Sequence, residues 1–175
     1  MTSKRVYTTF VGMLCYIMVV SGQVSHEVVK NTANTVLPSF FPLAKKDFIR
    51  LSSAYGYRKH PISAKIRKHT GIDLVAKTGK PVFASARGIV IKNDIHSQYG
   101  NRVMIAHSNS IQTLYAHLSK SFVLYGQLIE EGEILGLVGE TGRATGPHLH
   151  YEIIVNRKKI DPIAFWNVAS NKKGS

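Results

Sequence analysis

The stretch GPHLHYEI at residues 146–153 determines how the rest of the chain is interpreted, because it combines a turn, a strand pattern and two histidines. Its Gly-Pro pair favours a turn, and the aromatic and β-branched residues that follow favour a strand. Side chains alternate between the two faces of a strand, so we expect His148 and His150 to project from one face and Leu149 from the other. Two imidazoles at this spacing are compatible with a metal site, two catalytic groups or a pair of half-buried strand histidines.

Short runs of apolar and β-branched residues, separated by Gly, Asn and Ser, surround this stretch and predict at least six strands. The runs are KPVFASARGIVIKND (80–94), NRVMIAHSN (101–109), IQTLYAHLS (111–119), GEILGLVGETG (132–142) and HLHYEIIVN (148–156). The SNS sequence at 108–110 favours a hairpin turn, and no segment in this region keeps a 3.6-residue apolar period. The sequence therefore predicts a mainly β fold, an antiparallel sandwich or barrel, with few or no helices.

Composition limits the possible partners. The chain has 175 residues, 44% of them hydrophobic, which fits one folded domain and excludes a disordered chain. It carries 23 Lys and Arg against 10 Asp and Glu, for a formal charge of +13. Such an excess favours an anionic partner, namely nucleic acid, a membrane surface or a cell-wall polymer.

The N-terminus indicates export. Lys4 and Arg5 precede an apolar run at 6–20, and small residues follow it, so residues 1–23 are predicted to be a signal peptide or an uncleaved signal anchor. The one cysteine, Cys15, lies inside the apolar run. A mature chain without it has no disulfide and no thiol nucleophile. Export also argues against nucleic acid as the partner.

Residues 24–48 are predicted to be a linker or pro-segment, because Pro38 and Pro42 interrupt any helix there. The folded domain is predicted at 49–166. The remaining residues, 167–175, are predicted to be a disordered basic tail.

A second motif strengthens the interpretation of the histidine pair as part of a metal site. KHTGIDLVA carries His69 and Asp73 in an H-x-x-x-D pattern, with Gly71 allowing a bend before the next strand. A catalytic zinc takes three N or O ligands and leaves one position open. This motif and one histidine of the pair would complete such a set, and the other histidine would then act on substrate or water. A third motif, LYAHL, is predicted to place Tyr115 and His117 on one strand face.

Together these motifs give the chain a family resemblance from about Leu51 to Trp166. It resembles the lysostaphin-type, LytM-like zinc endopeptidases, which cut peptidoglycan peptides. The motifs that carry the resemblance are SSAYGYRKHPI, KHTGIDLVA, GKPVFASARGIVI, YGNRVMIAH, LYAHLS, EGEILGLVGETGRATGPHLHYEI and IDP. The resemblance implies a LytM-like β domain built from a duplicated hybrid motif, with one Zn²⁺ per chain and peptidoglycan as the partner.

The resemblance also implies the roles of five residues. The family's zinc ligands match His69, Asp73 and His150, and its two catalytic histidines that do not bind zinc match His117 and His148. Because all five positions are filled, the degenerate branch that activates amidases is disfavoured. Four other histidines are expected to be structural or solvated, namely His26, His60, His96 and His107.

The chemistry follows from these residue types. No H-E-x-x-H motif supplies a glutamate base, so His117 or His148 must take the proton or stabilise the oxyanion. Glu152 continues the face of His150 and would either orient that ligand or form a surface ion pair.

We therefore expect an exported zinc endopeptidase, monomeric, acting in the periplasm, cell envelope or medium, with membrane contact only through an uncleaved anchor. The expected bond is a D,D crosslink, because the chain shows no added wall-binding domain after Trp166, and because Arg58, Arg67 or Lys68 offer contacts to carboxylates of the stem peptides. Asn31 and Asn34 are possible donors to the open zinc position. The alternative is a non-catalytic wall-binding or amidase-activating module.

Overall fold

The computed structural model describes residues 36–59, 66–108 and 110–173, and these ranges form twelve strands followed by one helix. The strands are β1 (Arg50–Ser53), β2 (Gly56–Lys59), β3 (Ile66–His69), β4 (Ile72–Val75), β5 (Pro81–Phe83), β6 (Gly88–His96), β7 (Gly100–Ala106), β8 (Ile111–Ser121), β9 (Leu128–Ile129), β10 (Ile134–Val138), β11 (His148–Val155) and β12 (Lys158–Ile160), and the helix is α1 (Pro162–Lys173).

Ten strands form one antiparallel sheet, and β11 lies near its centre. The order is β1-β4-β11-β8-β7-β6-β9, with β10 pairing β8 and β5, and β12 pairing β11. β2 and β3 form a separate hairpin. The mainly antiparallel β fold predicted from the strand pattern is confirmed, including the β7–β8 hairpin.

β11 has one core face and one polar face, as its alternation predicts. Leu149, Tyr151 and Ile153 are fully buried in the main apolar core. His148 and His150 project from the opposite face, where both approach Asp73. Apolar burial on one face therefore fixes the register that presents the two histidines together on the other.

β8 breaks its own alternation at His117, and the prediction that Tyr115 and His117 share a face is wrong. Tyr115 is fully buried against Tyr151 in the core. Between the pairs Val103↔Tyr115 and Asn101↔Leu118, β8 carries one residue more than β7, and His117 has a φ of 61°. This bulge turns the His117 ring to the polar face of the sheet.

α1 corrects the predicted disordered tail, because the helix continues through 173. Asp161 caps its start by accepting a hydrogen bond from Ile163 N at 2.9 Å, and Pro162 occupies the first helical turn. Phe165 is 2% exposed, and Trp166 stacks on Tyr151 with ring centroids 5.4 Å apart. This aromatic packing onto the core holds the helix.

Residues 36–48 also pack against the core, so the boundary predicted between a linker or pro-segment (24–48) and the domain (49–166) is wrong. Leu43 forms a β-bridge with Val82 and is 3% exposed. Trp166 Nε1 donates a hydrogen bond to Pro38 O at 2.9 Å. The domain boundary predicted at residue 49 therefore moves toward the N-terminus, because these apolar side chains complete the core.

The predicted signal segment 1–23, Asn31 and Asn34 lie outside the described residues. Within the described ranges, no helix has the length and apolar character needed to cross a membrane.

Candidate metal centre and active site

Three side chains from neighbouring strands meet at one point on the polar face. His150 of β11 lies directly opposite Asp73 of β4, and side chains of such a cross-strand pair share a face. His69 ends β3, and a short turn brings it back over Asp73. A Cβ at Gly71 in this turn would collide with the carbonyl oxygen of Tyr151, so glycine is needed for the turn to lie against β11.

The three side chains present one nitrogen or oxygen each to a common centre. Asp73 Oδ1 lies 3.1 Å from His69 Nε2 and 2.8 Å from His150 Nδ1. The two ring nitrogens are 3.1 Å apart. A tetrahedral ion with bonds of about 2.1 Å separates its ligands by about 3.4 Å, so the observed triangle is close to the size that zinc requires.

The outer hydrogen bonds of the two rings show that this triangle fits a cation. His69 Nδ1 lies 2.9 Å from Ala54 O, and His150 Nε2 lies 3.1 Å from Glu152 Oε1. Both partners are acceptors, so in the neutral rings these outer nitrogens carry the N–H. The two inner nitrogens then present lone pairs to each other and to Asp73. Three lone pairs that converge in this way repel one another, and a cation between them removes this repulsion. Two imidazoles with one carboxylate are a donor set that zinc prefers.

The pKa values of Asp73 and His150 also favour a positive charge at this centre. Burial would raise the pKa of Asp73, but the His150 and His69 rings, which donate to its carboxylate when they are protonated, outweigh burial and hold this pKa far below its ordinary value. Burial would lower the pKa of His150, but Asp73 and Glu152 overcome this effect and raise it to about 9. The carboxylate is thus ionised, and together with Glu152 it favours a positive charge at the centre, carried either by a proton on the His150 ring or by a cation bound to the neutral ring.

Glu152 lies behind His150, fully buried, and holds the outer nitrogen of that ring. Its Oε1 accepts hydrogen bonds from Thr70 Oγ1 at 2.5 Å and from the Tyr99 hydroxyl at 2.9 Å. Lys159 Nζ lies 3.0 Å from its other oxygen. The interpretation as a surface ion pair is therefore wrong, and the geometry is that of a carboxylate that orients a ligand.

No sequence pattern indicated the partners of Glu152. Thr70 comes from the turn after β3, Tyr99 from the β6–β7 turn and Lys159 from β12. Burial would raise the pKa of Glu152, but its hydrogen bond with His150 and the charge of Lys159 lower it overall. The buried carboxylate is therefore ionised.

His117 and His148 lie next to this triangle, with ring centroids 4.7 Å apart. Each ring is held through Nδ1 by a backbone carbonyl, His117 by Thr141 O at 2.7 Å and His148 by Gly146 O at 2.8 Å. His148 Nε2 lies 3.7 Å from Asp73 Oδ1. Burial lowers the pKa of His117 to about 4, against the opposing effect of its bond to Thr141. His117 is therefore neutral near pH 7, with the lone pair on Nε2.

The loop that holds His117 is itself fixed to the sheet. Thr141 Oγ1 donates a hydrogen bond to Leu118 O at 2.9 Å and accepts one from Asn101 N at 3.0 Å. Gly100 has a φ of 63°, and a Cβ there would collide with Thr141. The fixed loop gives His117 one orientation toward His148.

These groups line an open cleft of about 390 Å³. The lining residues are Arg67, Lys68, His69, Thr70, Asp73, Gln98, Tyr99, His117, Arg143, Thr145, His148, His150 and Lys159. All five site residues predicted from the sequence therefore lie in one cleft.

The two other histidines within the described ranges, His96 and His107, do not line the cleft. His107 is buried directly after the end of β7, with Nδ1 2.8 Å from Arg87 O and Nε2 2.8 Å from Thr113 Oγ1. His96 packs beside Tyr99 with ring centroids 5.1 Å apart. His26 and His60 lie outside the described residues.

An antiparallel β fold, a His/Asp/His triangle and two adjacent histidines define a class, the LytM-like zinc metallopeptidases. The model of Peptidase family M23 matches residues 67–162, more than half of the chain, and the chain belongs to this family.

Similar sequences carry the names of DD-peptidases, and one of these names specifies peptidoglycan. The chain is 49% identical over 117 residues to the DD-carboxypeptidase/endopeptidase Mpg of Neisseria meningitidis, which covers 67% of this chain and 27% of the relative. It is 44% identical over 111 residues to the peptidoglycan DD-endopeptidase ShyC of Vibrio cholerae, covering 63% and 26%. The chain thus spans about a quarter of the length of the curated relatives it matches.

Solved structures share the fold. A zinc-containing peptidase from Vibrio cholerae superposes with a TM-score of 0.67 and 34% identity, over 75% of this chain and 40% of the other. The catalytic domain of lysostaphin from Staphylococcus simulans gives a TM-score of 0.61 and 28% identity, over 67% and 92%.

Proposed function

We propose that this chain is an exported zinc endopeptidase that hydrolyses D,D crosslinks of peptidoglycan. The observation that carries the proposal is the convergence of His69 Nε2, Asp73 Oδ1 and His150 Nδ1 beside two further histidines. The names of the Neisseria and Vibrio relatives support this choice of bond.

The three proposed ligands and the carboxylate behind them form the metal centre. His69, Asp73 and His150 hold the zinc, and Glu152 keeps His150 in the orientation that turns its Nδ1 inward. A bound zinc ion lowers the pKa of a water molecule and polarises a peptide carbonyl.

His117 and His148 move the protons. Because their Nδ1–H groups donate to backbone carbonyls, the Nε2 atoms are left as acceptors. Each ring can take a proton from the attacking water and return it to the leaving nitrogen, which is general acid–base catalysis. The distance of 4.7 Å between the two ring centroids supports a role for both rings on the same reacting atoms.

Location and assembly complete the proposal. Residues 1–23 direct export, so the enzyme acts in the periplasm, the cell envelope or the medium. Membrane contact is limited to an uncleaved anchor, the chain acts as a monomer, and the wall polymer is its partner in place of nucleic acid.

The test is to incubate the zinc-loaded chain with a directly crosslinked wall and with an oligoglycine-bridged wall, and to identify the released fragments by mass. Release of monomers from directly crosslinked dimers is the expected result. Cleavage only between glycines would contradict the assigned bond. Binding to both walls without cleavage of either would favour the alternative of a non-catalytic wall-binding or amidase-activating module.

A further inference from the structure

Two of the four cationic side chains that line the cleft have no partner among the described residues. Lys159 is bonded to Glu152, and Lys68 Nζ lies 5.1 Å from the centroid of the Tyr55 ring. Arg67 and Arg143 are exposed, and their guanidinium groups form no hydrogen bond or ion pair with the described part of the chain. Their guanidinium groups are therefore available to a ligand.

The two arginines approach the histidine cluster from different sides. Arg67 lies two residues before His69 on β3, and the His69 ring contacts Asp73 of β4. Arg143 lies in the loop between β10 and β11, where its backbone N–H donates to Gln98 O at 2.9 Å. The same loop holds the ring of His117, a residue of β8, through Thr141 O. Because β4 and β8 flank β11, a peptide that crosses the metal centre meets one arginine on each side.

The charge of the cleft selects for an anionic peptide. Among the described lining residues, Asp73 is the one carboxylate, and it faces the metal centre. Arginine binds a carboxylate through two parallel hydrogen bonds, and this fit is its main advantage over lysine. An oligoglycine bridge carries no carboxylate. A direct crosslink through a diamino acid keeps a carboxylate close to the scissile amide.

We propose that Arg67 and Arg143 bind carboxylates of the substrate on the two sides of the scissile bond, so that the enzyme prefers crosslinks whose diamino acid carboxylate is free. The inference rests on the proposed function and adds the chemical class of substrate. Neither arginine contacts the reacting atoms, so their effect is on substrate binding.

The test uses two crosslinked peptide dimers that differ only in whether the diamino acid carboxylate is free or amidated. A charge-assisted hydrogen bond predicts that KM of the wild type for the free form is about 10-fold lower. Arg67→Gln and Arg143→Gln should each raise KM for the free form about 10-fold and leave KM for the amidated form, kcat and zinc content near wild type. Arg87→Gln, an exposed arginine outside the cleft, should behave as wild type.

Equal KM values for the two dimers in the wild type, or an unchanged ratio in both cleft variants, would overturn the inference and leave the proposed function in place. Absence of cleavage of either dimer by the zinc-loaded wild type would instead overturn the proposed function, and the inference with it.

Discussion

His117 and His148 face each other with ring centroids 4.7 Å apart, although they come from different strands and only His148 follows the alternation of its strand. His117 reaches this position through a φ of 61°, a conformation that is uncommon for residues other than glycine. Strained backbone of this kind is often found at active sites. The pairing is therefore built by tertiary structure, since no local sequence pattern joins the two rings.

Replacement of His117 or His148 by Ala should lower kcat by about 100- to 10,000-fold, the usual contribution of a general acid or base. Zinc content should remain at the wild-type level, because neither ring belongs to the triangle of ligands. Elemental analysis and turnover should be measured on the same samples. Loss of zinc in both variants would mean that ligand and catalytic roles have been divided wrongly.

Replacement of Glu152 by Gln should weaken zinc binding by about 10- to 100-fold, as is usual when the hydrogen-bond partner of a ligating histidine is changed. The cause is the loss of the negative charge next to His150 Nε2. A competition titration with a chelator measures the affinity directly. Glu130→Gln, at an exposed position, is the control. Wild-type affinity in the Glu152 variant would show that this carboxylate does not support the metal centre.

Local patterns predicted the β fold and a metal site made of His69, Asp73 and one histidine of the pair, and the family resemblance implied that this histidine is His150. Alternation along β11 places His148 and His150 together, and H-x-x-x-D spans one turn. The orientation of His117 could not be predicted, because it depends on a β-bulge that none of the residue types in β8 predicts. The partners of Glu152 come from three distant segments that only the folded sheet brings together.

The ends of the domain were predicted less well for a related reason. Pro38 and Pro42 argued against a helix, but packing of Leu43 on the core requires no regular element. The Asp161-Pro162 pair was a helix-start signal in the sequence that the prediction of a disordered tail did not use.

Leu43→Ala should reduce the free energy of unfolding by about 2–5 kcal/mol, the usual cost of truncating a large buried side chain. A chain that begins at Lys46 should be destabilised as well, because it loses this side chain and the Pro38 carbonyl that Trp166 contacts. Denaturant unfolding measures both effects. Ile95→Ala, at a position 83% exposed, should change stability by less than about 0.5 kcal/mol. Equal effects of Leu43→Ala and Ile95→Ala would restore the interpretation of residues 36–48 as a linker.

Stability should fall with acidification partly through His107. Burial lowers the pKa of this ring below its ordinary value, against its hydrogen bond to Arg87 O. Below a pH of about 6.5, the His107 ring takes up a proton in the unfolded chain but not in the folded chain. The contribution of His107 to the free energy of unfolding is therefore complete above this pH and is lost as the pH falls through the pKa of the folded chain. The dependence of unfolding free energy on pH should be shallower in His107→Asn than in the wild type. An identical slope would assign the pH dependence to other groups.

The central claim, that His69, Asp73 and His150 hold one catalytic zinc, is tested most directly by the zinc content of Asp73→Ala. The wild type should bind one zinc per chain and cleave crosslinked dimers, and Asp73→Ala should lose zinc and cleavage together. Asp94→Ala, which removes a surface carboxylate paired with Arg102, should keep both. Full zinc occupancy in the Asp73 variant would contradict the account.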